Sequence, residues 1–398
     1  MADQFKRIVV KLGSNVLSAG TNRLNRAHLI EIVRQIAQLH QRGIEVVVVT
    51  SGAVLAGRER MGYPQLKPSI PFRQMLAAVG QGRLMHLYEQ FFDIYDIRVA
   101  QILLTADDFR SRQRYLNARD TVLGLLRERV LPIINENDTV ATDEIKVGDN
   151  DNLAARVLTL IDADLLILLS HIAGLYTADP GRDPDARLID EVSQIDEALW
   201  RIAGESDAAG GTGGMRTKIE AAQLVGRAGA TTIIADGCDA NILPRILSGE
   251  RVGTRFLPQL AAFGSRDRED AALSGGLESR KRWILAGSRA VGRMYVDRGA
   301  AAAITTQGKS LLPVGVVDVS GRFERGETVR IYAEETEIAR GVVRYSAGEL
   351  AQIKGLHSDQ IEGVLGYDYG DEAVHHNDMV VLNTGGPVDT PKEEGRDD

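Results

Sequence analysis

The feature that most constrains the fold is a phrase that repeats through the first 260 residues. In each repeat, a short run rich in Val, Ile or Leu leads into a Gly-containing or polar turn, and a longer amphipathic stretch follows. This alternation is typical of βα units. The apolar runs are RIVVKLG, IEVVVVTSG, IRVAQILLT, VLPIINEND, ADLLILLS and ATTIIADG. Because they are continuous rather than alternating in polarity, they indicate strands buried on both faces. We therefore expect an α/β fold with a doubly wound, mainly parallel sheet.

The repeat ends near residue 262, where the composition of the chain changes. The chain has 398 residues, more than one hydrophobic core usually supports, so two domains are expected. After the break, RWILAG, AAAITTQGKSLLPVGVVDVSG, ETVRIYAEETEIARGVVRYS and DMVVLN are typical of short strands joined by tight turns. We predict a first domain over 1–262, a linker rich in charge, Gly and Ser over 263–279, a small β-rich domain over 280–383 and a disordered tail over 384–398.

Composition argues against several classes of function. The formal net charge of −8 gives no bulk attraction to nucleic acid or to an anionic membrane. No apolar run approaches the ~20 residues of a membrane span, and the stretch MADQFKRIVVKLG lacks the apolar core of a signal peptide, so we expect a cytoplasmic protein without a membrane segment. Cys238 is the only cysteine, which excludes an intrachain disulfide and a cysteine-rich metal site, and we expect its thiol to be free and buried.

Two Gly-containing turns follow the first two predicted strands. In VVKLGSNVL, Lys11 precedes Gly13, whose turn can direct backbone N–H groups and the lysine toward phosphate oxygens. In VVVVTSGAVLAG, the turn at Thr50, Ser51 and Gly52 opens a helix and offers hydroxyl and N–H groups to a carboxylate or a phosphate. Each turn has an ordinary structural alternative. The lysine could simply extend from a strand end to solvent, and the serine could be a helix cap.

A third motif, LPIINENDTVATDEIKVGDNDN, concentrates acidic and amide side chains. Asp138 closely follows the fourth predicted strand, and Asp149, Asn150 and Asp151 stand where the next helix begins. Asp and Asn are preferred as helix N-caps, but a cap needs only one of them. Carboxylates at this density repel one another unless they hold a cation, an ammonium group or a lysine. A solvated acidic loop is the alternative, although buried elements on both sides limit how far such a loop extends into water.

The fourth motif, GTGGMRTKIEAAQLV, covers residues 211–225. Three Gly and two Thr precede Lys218, and a helix begins at once. Thr217 stands where a Walker A loop has Gly, so this is not that loop. Flexible backbone N–H groups, a helix N-terminus and a lysine nevertheless suit one anion. A glycine loop without a ligand is the alternative.

The four motifs all fall where strands of one predicted sheet lead into helices, the edge at which a doubly wound fold binds its ligands. Two lysines, two anion-binding helix starts and a carboxylate cluster are what phosphoryl transfer requires to neutralise charge, hold a metal and align the reactants. The four motifs together therefore predict a site for phosphoryl transfer.

The motifs KLGSNVL, TSGAVLAG, LAAVGQGRLM, INENDTV, GDNDNL, GLYTADP and GTGGMRTK resemble those of the amino acid kinase family, in particular its bacterial members that phosphorylate glutamate. The C-terminal part resembles the PUA domain that many of these kinases carry. The resemblance implies ATP-dependent phosphorylation of the side-chain carboxylate of L-glutamate to L-glutamyl 5-phosphate, the first step of proline biosynthesis, with Mg²⁺ bridging the phosphates. Because a carboxylate with a pKa of about 4.3 is ionised at pH 7, the reaction needs no catalytic base.

The same resemblance assigns roles to individual residues. It implies that Lys11 and Lys218 stabilise charge on the transferred phosphoryl group and that Asp151 holds the two lysines. The positions that match glutamate-binding residues are Ser51, Asp138 and Asn150, with Asp138 suited to the α-ammonium group. The positions that match ATP-binding residues are Lys11, Ser170, His171, Thr212, Gly213, Gly214, Met215, Arg216, Thr217 and Lys218. No protein ligand is assigned to a metal.

Two departures from the family pattern stand out. Ser170 and His171 occupy positions where the family usually has Thr-Asp, which puts a carboxylate contact to the nucleotide in doubt. KLGSN replaces the commoner KLGTS and keeps one hydroxyl, at Ser14. Family members are inhibited by proline and assemble as dimers or tetramers. Residues 62–81 resemble the loop that overlaps the glutamate site, so inhibition by proline and a homodimer or homotetramer are expected.

Two alternatives remain open. Another acyl-phosphate kinase of the family, acting on acetylglutamate, aspartate or carbamate, is disfavoured because GTGGMRTK is followed by a PUA-like domain. The other is an RNA-binding protein that acts through its C-terminal domain. Residues 278–383 carry 13 Lys or Arg against 15 Asp or Glu, so this domain lacks the net positive charge of a typical phosphate-backbone binder. RNA binding is therefore kept as a secondary alternative.

Overall fold

The chain divides into two compact units, 1–276 and 277–398. The computed structural model describes residues 5–65, 69–141, 150–207, 214–258 and 290–382. The predicted linker over 263–279, with the domain ends on both sides of it, and the predicted tail over 384–398 lie outside the described residues. Those boundaries stay predictions.

The first unit is built on an eight-stranded sheet. Its strands are β1 (Arg7–Leu12), β2 (Glu45–Thr50), β3 (Val99–Leu104), β4 (Leu131–Glu136), β5 (Leu165–Ser170), β6 (Glu191–Val192), β7 (Thr231–Asp236) and β8 (Thr254–Phe256). They lie in the order β3-β4-β2-β1-β5-β7-β8-β6, and the described pairs are parallel except β7 with β8. Each of the six apolar runs forms a strand, which confirms the predicted fold class.

Helices cover both faces of this sheet. They are α1 (Ser14–Ser18), α2 (Arg26–Gln41), α3 (Ala53–Arg60), α4 (Ile70–Asp93), α5 (Ala106–Arg110), α6 (Arg112–Arg127), α7 (Asn150–Ile161), α8 (Glu197–Asp207), α9 (Met215–Arg227) and α10 (Ile242–Leu247). Two separate hydrophobic cores result. In β1, Ile8 and Val10 enter one core and Val9 enters the other. This two-sided burial is why the strand sequences are continuously apolar.

The strand order brings four carboxyl ends together. β4, β2, β1 and β5 are neighbours and parallel, so the residues that follow them meet at one edge of the sheet. The chain places β2 on one side of β1 and β5 on the other, which makes this edge a topological switch point and a favourable place for a ligand.

Helices α3 and α4 touch backbone to backbone beside this edge. A Cβ built on Gly57 would lie 1.9 Å from the carbonyl oxygen of Leu76, and one built on Gly80 would lie 1.8 Å from the carbonyl oxygen of Ala53. Neither position accepts a side chain without moving a helix. The contact therefore fixes α4 against the first turn of α3, immediately after the β2 turn.

The second unit has a five-stranded sheet, as expected for a small β-rich domain. Its strands are β9 (Gly292–Val296), β10 (Val316–Gly321), β11 (Thr328–Ala333), β12 (Thr336–Val342) and β13 (Met379–Val381), in the order β10-β9-β11-β12-β13. Its helices are α11 (Arg298–Gln307), α12 (Ala347–Ile353) and α13 (Ile361–Leu365), with short 3₁₀ helices over Pro313–Gly315, Ser358–Gln360 and His376–Asp378. The predicted strand RWILAG lies outside the described residues.

Two expectations from the sequence are wrong. The segment AAAITTQ was predicted as strand but belongs to α11, because its alanines favour a helix and the Asp297 carboxylate caps it by accepting a hydrogen bond from the Ala300 N–H at 2.7 Å. The Cys238 thiol is free but exposed rather than buried, because it follows β7 in a turn outside the core. Within the described part of the chain, no helix combines the length and the apolar composition needed to cross a membrane.

Candidate active site

A cleft of about 440 Å³ lies over the carboxyl ends of β1, β2, β4 and β5. All four sequence motifs contribute side chains to its lining. They include Lys11, Ser51, Asp138, Asn150 and Lys218. The four motifs therefore meet at one edge of the sheet. The prediction that each follows a strand is wrong for the fourth, which lies between α8 (Glu197–Asp207) and α9.

At the floor of the cleft, Asp151 contacts both lysines. Its Oδ1 lies 2.5 Å from the Lys11 Nζ, and its Oδ2 lies 3.1 Å from the Lys218 Nζ. The three side chains come from β1, α7 and α9, and Asp151 is completely buried while each lysine is 5% exposed. The carboxylate thus holds two ammonium groups at one point, beside a cavity large enough for a ligand.

The ionisation of Asp151 is set by two opposing effects. Burial alone would raise the pKa of its carboxyl group, but the charges of Lys11 and Lys218 and their hydrogen bonds outweigh burial and hold the pKa below its ordinary value. The carboxylate is therefore ionised at neutral pH.

The first turn of α9 contributes to the cluster in a way that the sequence did not predict. The Thr217 hydroxyl lies 3.0 Å from the Asp151 Oδ2 and 2.9 Å from the carbonyl oxygen of Gly214. Gly214 and Met215 line the cleft, whereas the Arg216 guanidinium pairs with Glu220 at 3.2 Å. Thr212 and Gly213, also predicted to bind ATP, lie outside the described residues.

The side of the cleft formed by β2 and β4 is polar. The Asn150 Nδ2 lies 2.8 Å from the Ser51 Oγ, 3.0 Å from the carbonyl oxygen of Thr50 and 3.2 Å from the Asn135 Oδ1. The Thr50 hydroxyl is in turn 2.7 Å from the hydroxyl of Tyr88, which α4 buries completely. Asn150 therefore ties the start of α7 to the ends of both strands.

Asp138 and Arg73 lie on the same side of the cleft. Burial raises the pKa of the Asp138 carboxyl group, and the Arg73 charge offsets part of that rise. An acid and a base that face one cavity are suited to the two charged groups of an amino acid. Asp138 was predicted from the sequence, and Arg73 was not. The only sequence indication of Arg73 is its position in the segment 62–81.

The side of the cleft formed by β5 differs in character. Ser170 is buried at the end of the strand, and the exposed His171 has its Nδ1 3.5 Å from the Asn15 Nδ2. The apolar side chains that line this side include Ile172, Leu175, Pro180 and Met215. Apolar and aromatic surroundings with a few polar groups are typical of a nucleotide base site.

Metal ligands do not cluster in the described segments, where no three His, Cys, Asp or Glu side chains are grouped so as to hold an ion. Magnesium keeps several waters and is bound mainly by substrate phosphates and one or two carboxylates, so it does not require such a group.

Comparison with known proteins gives a consistent result. A model of the amino acid kinase family matches residues 6–236, and a model of the PUA domain matches residues 292–365. A glutamate 5-kinase of Herpetosiphon aurantiacus is 53% identical over 381 residues, which cover 96% of this chain and 99% of the relative. A glutamate 5-kinase of Shewanella amazonensis is 51% identical over 95% of this chain and 96% of the relative. Among solved structures, the carbamate kinase from Giardia lamblia bound to AMP-PNP is 18% identical, with a TM-score of 0.47 over 65% of this chain and 100% of that one.

Proposed function

The chain belongs to the amino acid kinase family, and from this premise we propose that it transfers the γ-phosphoryl group of ATP to the side-chain carboxylate of L-glutamate. The product is L-glutamyl 5-phosphate, and the reaction is the first step of proline biosynthesis. The observation that carries the proposal is the buried cluster of Lys11, Asp151 and Lys218 at the floor of the cleft. Lys11 belongs to β1, which lies between the strand of the polar side and the strand of the apolar side.

The polar side suits the acid. Ser51 and the first N–H groups of α3 supply donors for a carboxylate, because the first four N–H groups of a helix have no partner within it. The Asp138 carboxyl group suits the α-ammonium group, and Asn150 holds Ser51 in place. The role of glutamate-binding residues is therefore proposed for Ser51, Asp138 and Asn150.

Catalysis then depends on position and charge. A glutamate side-chain oxygen attacks the γ-phosphorus while the bond to the β–γ bridging oxygen breaks, and ADP leaves with that electron pair. The substrate is already ionised, so no residue has to remove a proton. Lys11 and Lys218 are proposed to neutralise the charge that spreads over the phosphoryl oxygens, and Asp151 to hold the two ammonium groups before substrate arrives.

ATP is proposed to bind toward the β5 side. Ser170, His171, Gly214 and Met215 line that side, and the apolar residues there suit the base. Arg216 and Thr217 stay proposed ATP-binding residues on the strength of the resemblance. Mg²⁺, when bound with the nucleotide, would supply further charge neutralisation on its phosphates.

Trapping of the acyl phosphate with hydroxylamine tests the function directly. With ATP and Mg²⁺, we expect hydroxamate to form with L-glutamate and not with N-acetylglutamate or aspartate. Signal with either of the other acids in place of glutamate would assign the chain to a different acyl-phosphate kinase. No signal with any of the three, from folded protein, would contradict a kinase function.

Replacing Asp138 with Asn is expected to raise KM for glutamate roughly 30-fold or more, because it removes the partner proposed for a desolvated ammonium group. The thermal stability of the variant should increase, although its affinity for glutamate decreases. A carboxyl group whose folded-state pKa is raised stabilises the fold below the unfolded-state pKa, about 3.9, and this contribution is lost as pH rises through the folded-state value. At pH 7 the variant should therefore unfold at a higher temperature than the wild type.

Steady-state kinetics and thermal unfolding between pH 4 and pH 8 check both parts of this prediction. A variant with normal KM for glutamate would exclude the ammonium contact. A variant that is less stable at pH 7 would show that the ionised Asp138 stabilises the free protein.

We also propose inhibition by proline, because Arg73 at the polar side belongs to the segment that resembles the family's regulatory loop. Loss of hydroxamate at millimolar proline is the expected result, and unchanged activity would contradict it.

A homodimer or homotetramer and a cytoplasmic location are proposed on the resemblance alone. RNA binding by the second unit is a secondary candidate that rests on the match to the PUA domain, and filter binding at low salt tests it.

A further inference from the structure

A chain of side-chain amides runs from the polar side of the cleft to the surface of the first unit. The Asn150 NH₂ group shares its two hydrogens among Ser51, Thr50 and the Asn135 Oδ1, the last at 3.2 Å. The Asn135 Nδ2 donates to the Gln81 Oε1 at 2.9 Å. The Gln81 Nε2 then donates to the exposed Gln101 at 3.1 Å. The four residues come from α7, β4, α4 and β3, so the chain connects elements that are distant in sequence.

Backbone groups determine which amide atoms donate and which accept along this series of hydrogen bonds. The Glu136 N–H, which can only donate, donates to the Asn135 Oδ1 at 2.9 Å, so the other amide atom of Asn135 must be the NH₂ group. The Gln81 atom that faces this NH₂ group must then be its oxygen. At the other end, the carbonyl oxygen of Thr50, which can only accept, lies 3.0 Å from the Asn150 Nδ2. Both anchors require the same orientation of the amides, which removes the usual ambiguity between amide oxygen and nitrogen.

This orientation determines what Ser51 offers to a ligand. The Ser51 Oγ accepts a hydrogen bond from the Asn150 Nδ2 at 2.8 Å, so its own hydrogen is available. Within the segments that the structure describes, the Ser51 hydroxyl donates to no other group. A carboxylate ligand needs a donor at this point. If the amides had the opposite orientation, the Ser51 hydroxyl would donate to Asn150 and would present the ligand with a lone pair instead.

We propose that Gln81 is a positioning residue for the acidic substrate, acting through Asn135 and Asn150 on the Ser51 hydroxyl. The proposal rests on the function proposed above and adds a residue that does not line the cleft. Gln81 is the group that accepts from the Asn135 NH₂ group. Asn135 is 2% exposed, and a buried donor without an acceptor is costly.

Because the backbones of α3 and α4 are in contact, a shift of α4 cannot bring another hydrogen-bond acceptor to Asn135 in place of Gln81. Gly80, the residue before it, is pressed against the carbonyl oxygen of Ala53, so α4 cannot shift to bring another group to Asn135. If Gln81 loses its oxygen, Asn135 must rotate or admit water. Either change loosens the hydrogen bonds that fix Asn150 and Ser51.

The test compares two substitutions of nearly equal size. Gln81→Met removes the acceptor, and we expect KM for glutamate to rise about tenfold while KM for ATP stays within twofold. Gln81→Glu keeps an oxygen for Asn135, and the exposed Gln101 can turn its amide to donate to the new carboxylate, so KM should return to within about threefold of the wild type. Gln90→Met makes the Gln-to-Met change at an exposed position of α4 and should leave both KM values unchanged.

Two outcomes would overturn the proposal. One is a Gln81→Met enzyme with wild-type KM for glutamate, and the other is a Gln81→Glu enzyme as impaired as Gln81→Met. A merely structural role would lower the unfolding temperature and affect the use of both substrates equally. If Gln81→Met does not fold, Gln81→Asn, whose amide is one methylene too short, should raise KM for glutamate in the same way, and a normal value would overturn the proposal. A wild-type protein without glutamate-dependent activity would refute the proposed function instead.

Discussion

Replacing Lys218 with Met is expected to lower kcat by roughly 10²–10³-fold, with a much smaller change in KM for glutamate. The reason is that an ammonium group fixed at the floor of the cleft acts on charge that develops in the transition state, and removing one such preorganised donor typically costs this much. Lys11→Met should behave alike, because both ammonium groups are held by the same carboxylate. Steady-state measurement of ADP release with glutamate and ATP varied separately checks both variants.

The loss should not come from unfolding. In Lys218→Met, the Lys11 ammonium still lies 2.5 Å from Asp151, so no buried carboxylate is left alone. Arg227→Met provides a matched control, since it removes an exposed cation from the last turn of the same helix, α9, and its kcat should stay within twofold of the wild type. A Lys218→Met enzyme with nearly normal kcat would contradict the proposed role of the lysine in phosphoryl transfer.

Much of this fold could be predicted from the sequence because the strand signal is local. A run such as EVVVVT in β2 is apolar at every position, and only a sheet covered on both faces buries all of it. The position of the site followed from the same reasoning. Once parallel strands are predicted, the residues after them must meet at one edge, so Lys11, Ser51 and Asn150 could be placed together without knowledge of their contacts.

What the sequence did not reveal depends on packing between distant segments. The Thr217 hydroxyl was predicted to serve ATP, but its contact with Asp151 depends on the angle at which α9 meets α7. Gln81 is one glutamine on a 24-residue helix, and only the contact at Gly80 shows which face of that helix reaches β4. Arg73 was missed for the same reason.

Cys238 and α11 show two other limits. The general preference of free cysteines for the interior gave the wrong burial for Cys238, because its actual place depends on where β7 ends. For residues 301–307, the alanine content and the Asp297 cap determine a helix, although the segments that follow in the chain are β-strands.

Replacing Asp151 with Asn is expected to lower the free energy of unfolding at pH 7 by about 3–5 kcal/mol, because it removes the carboxylate that two buried ammonium groups contact. The double variant Asp151→Asn with Lys218→Met should recover part of that loss, since one of the two like charges is then gone. Urea unfolding of the four proteins in this cycle measures the coupling. A loss in the double variant equal to the sum of the two single losses would show that Asp151 and Lys218 do not interact.

The pH dependence of the same cycle tests the ionisation of Asp151. Its folded-state pKa is held below the ordinary value, so its contribution to stability is fully present above the unfolded-state pKa of about 3.9 and is lost as pH falls through the folded-state value. The stability difference between wild type and Asp151→Asn should therefore be constant from pH 5 to pH 8 and shrink only in strong acid. A difference that already disappears near pH 6 would mean that the carboxyl group is protonated in the free protein. In that case it would not hold two lysines ready for phosphoryl transfer.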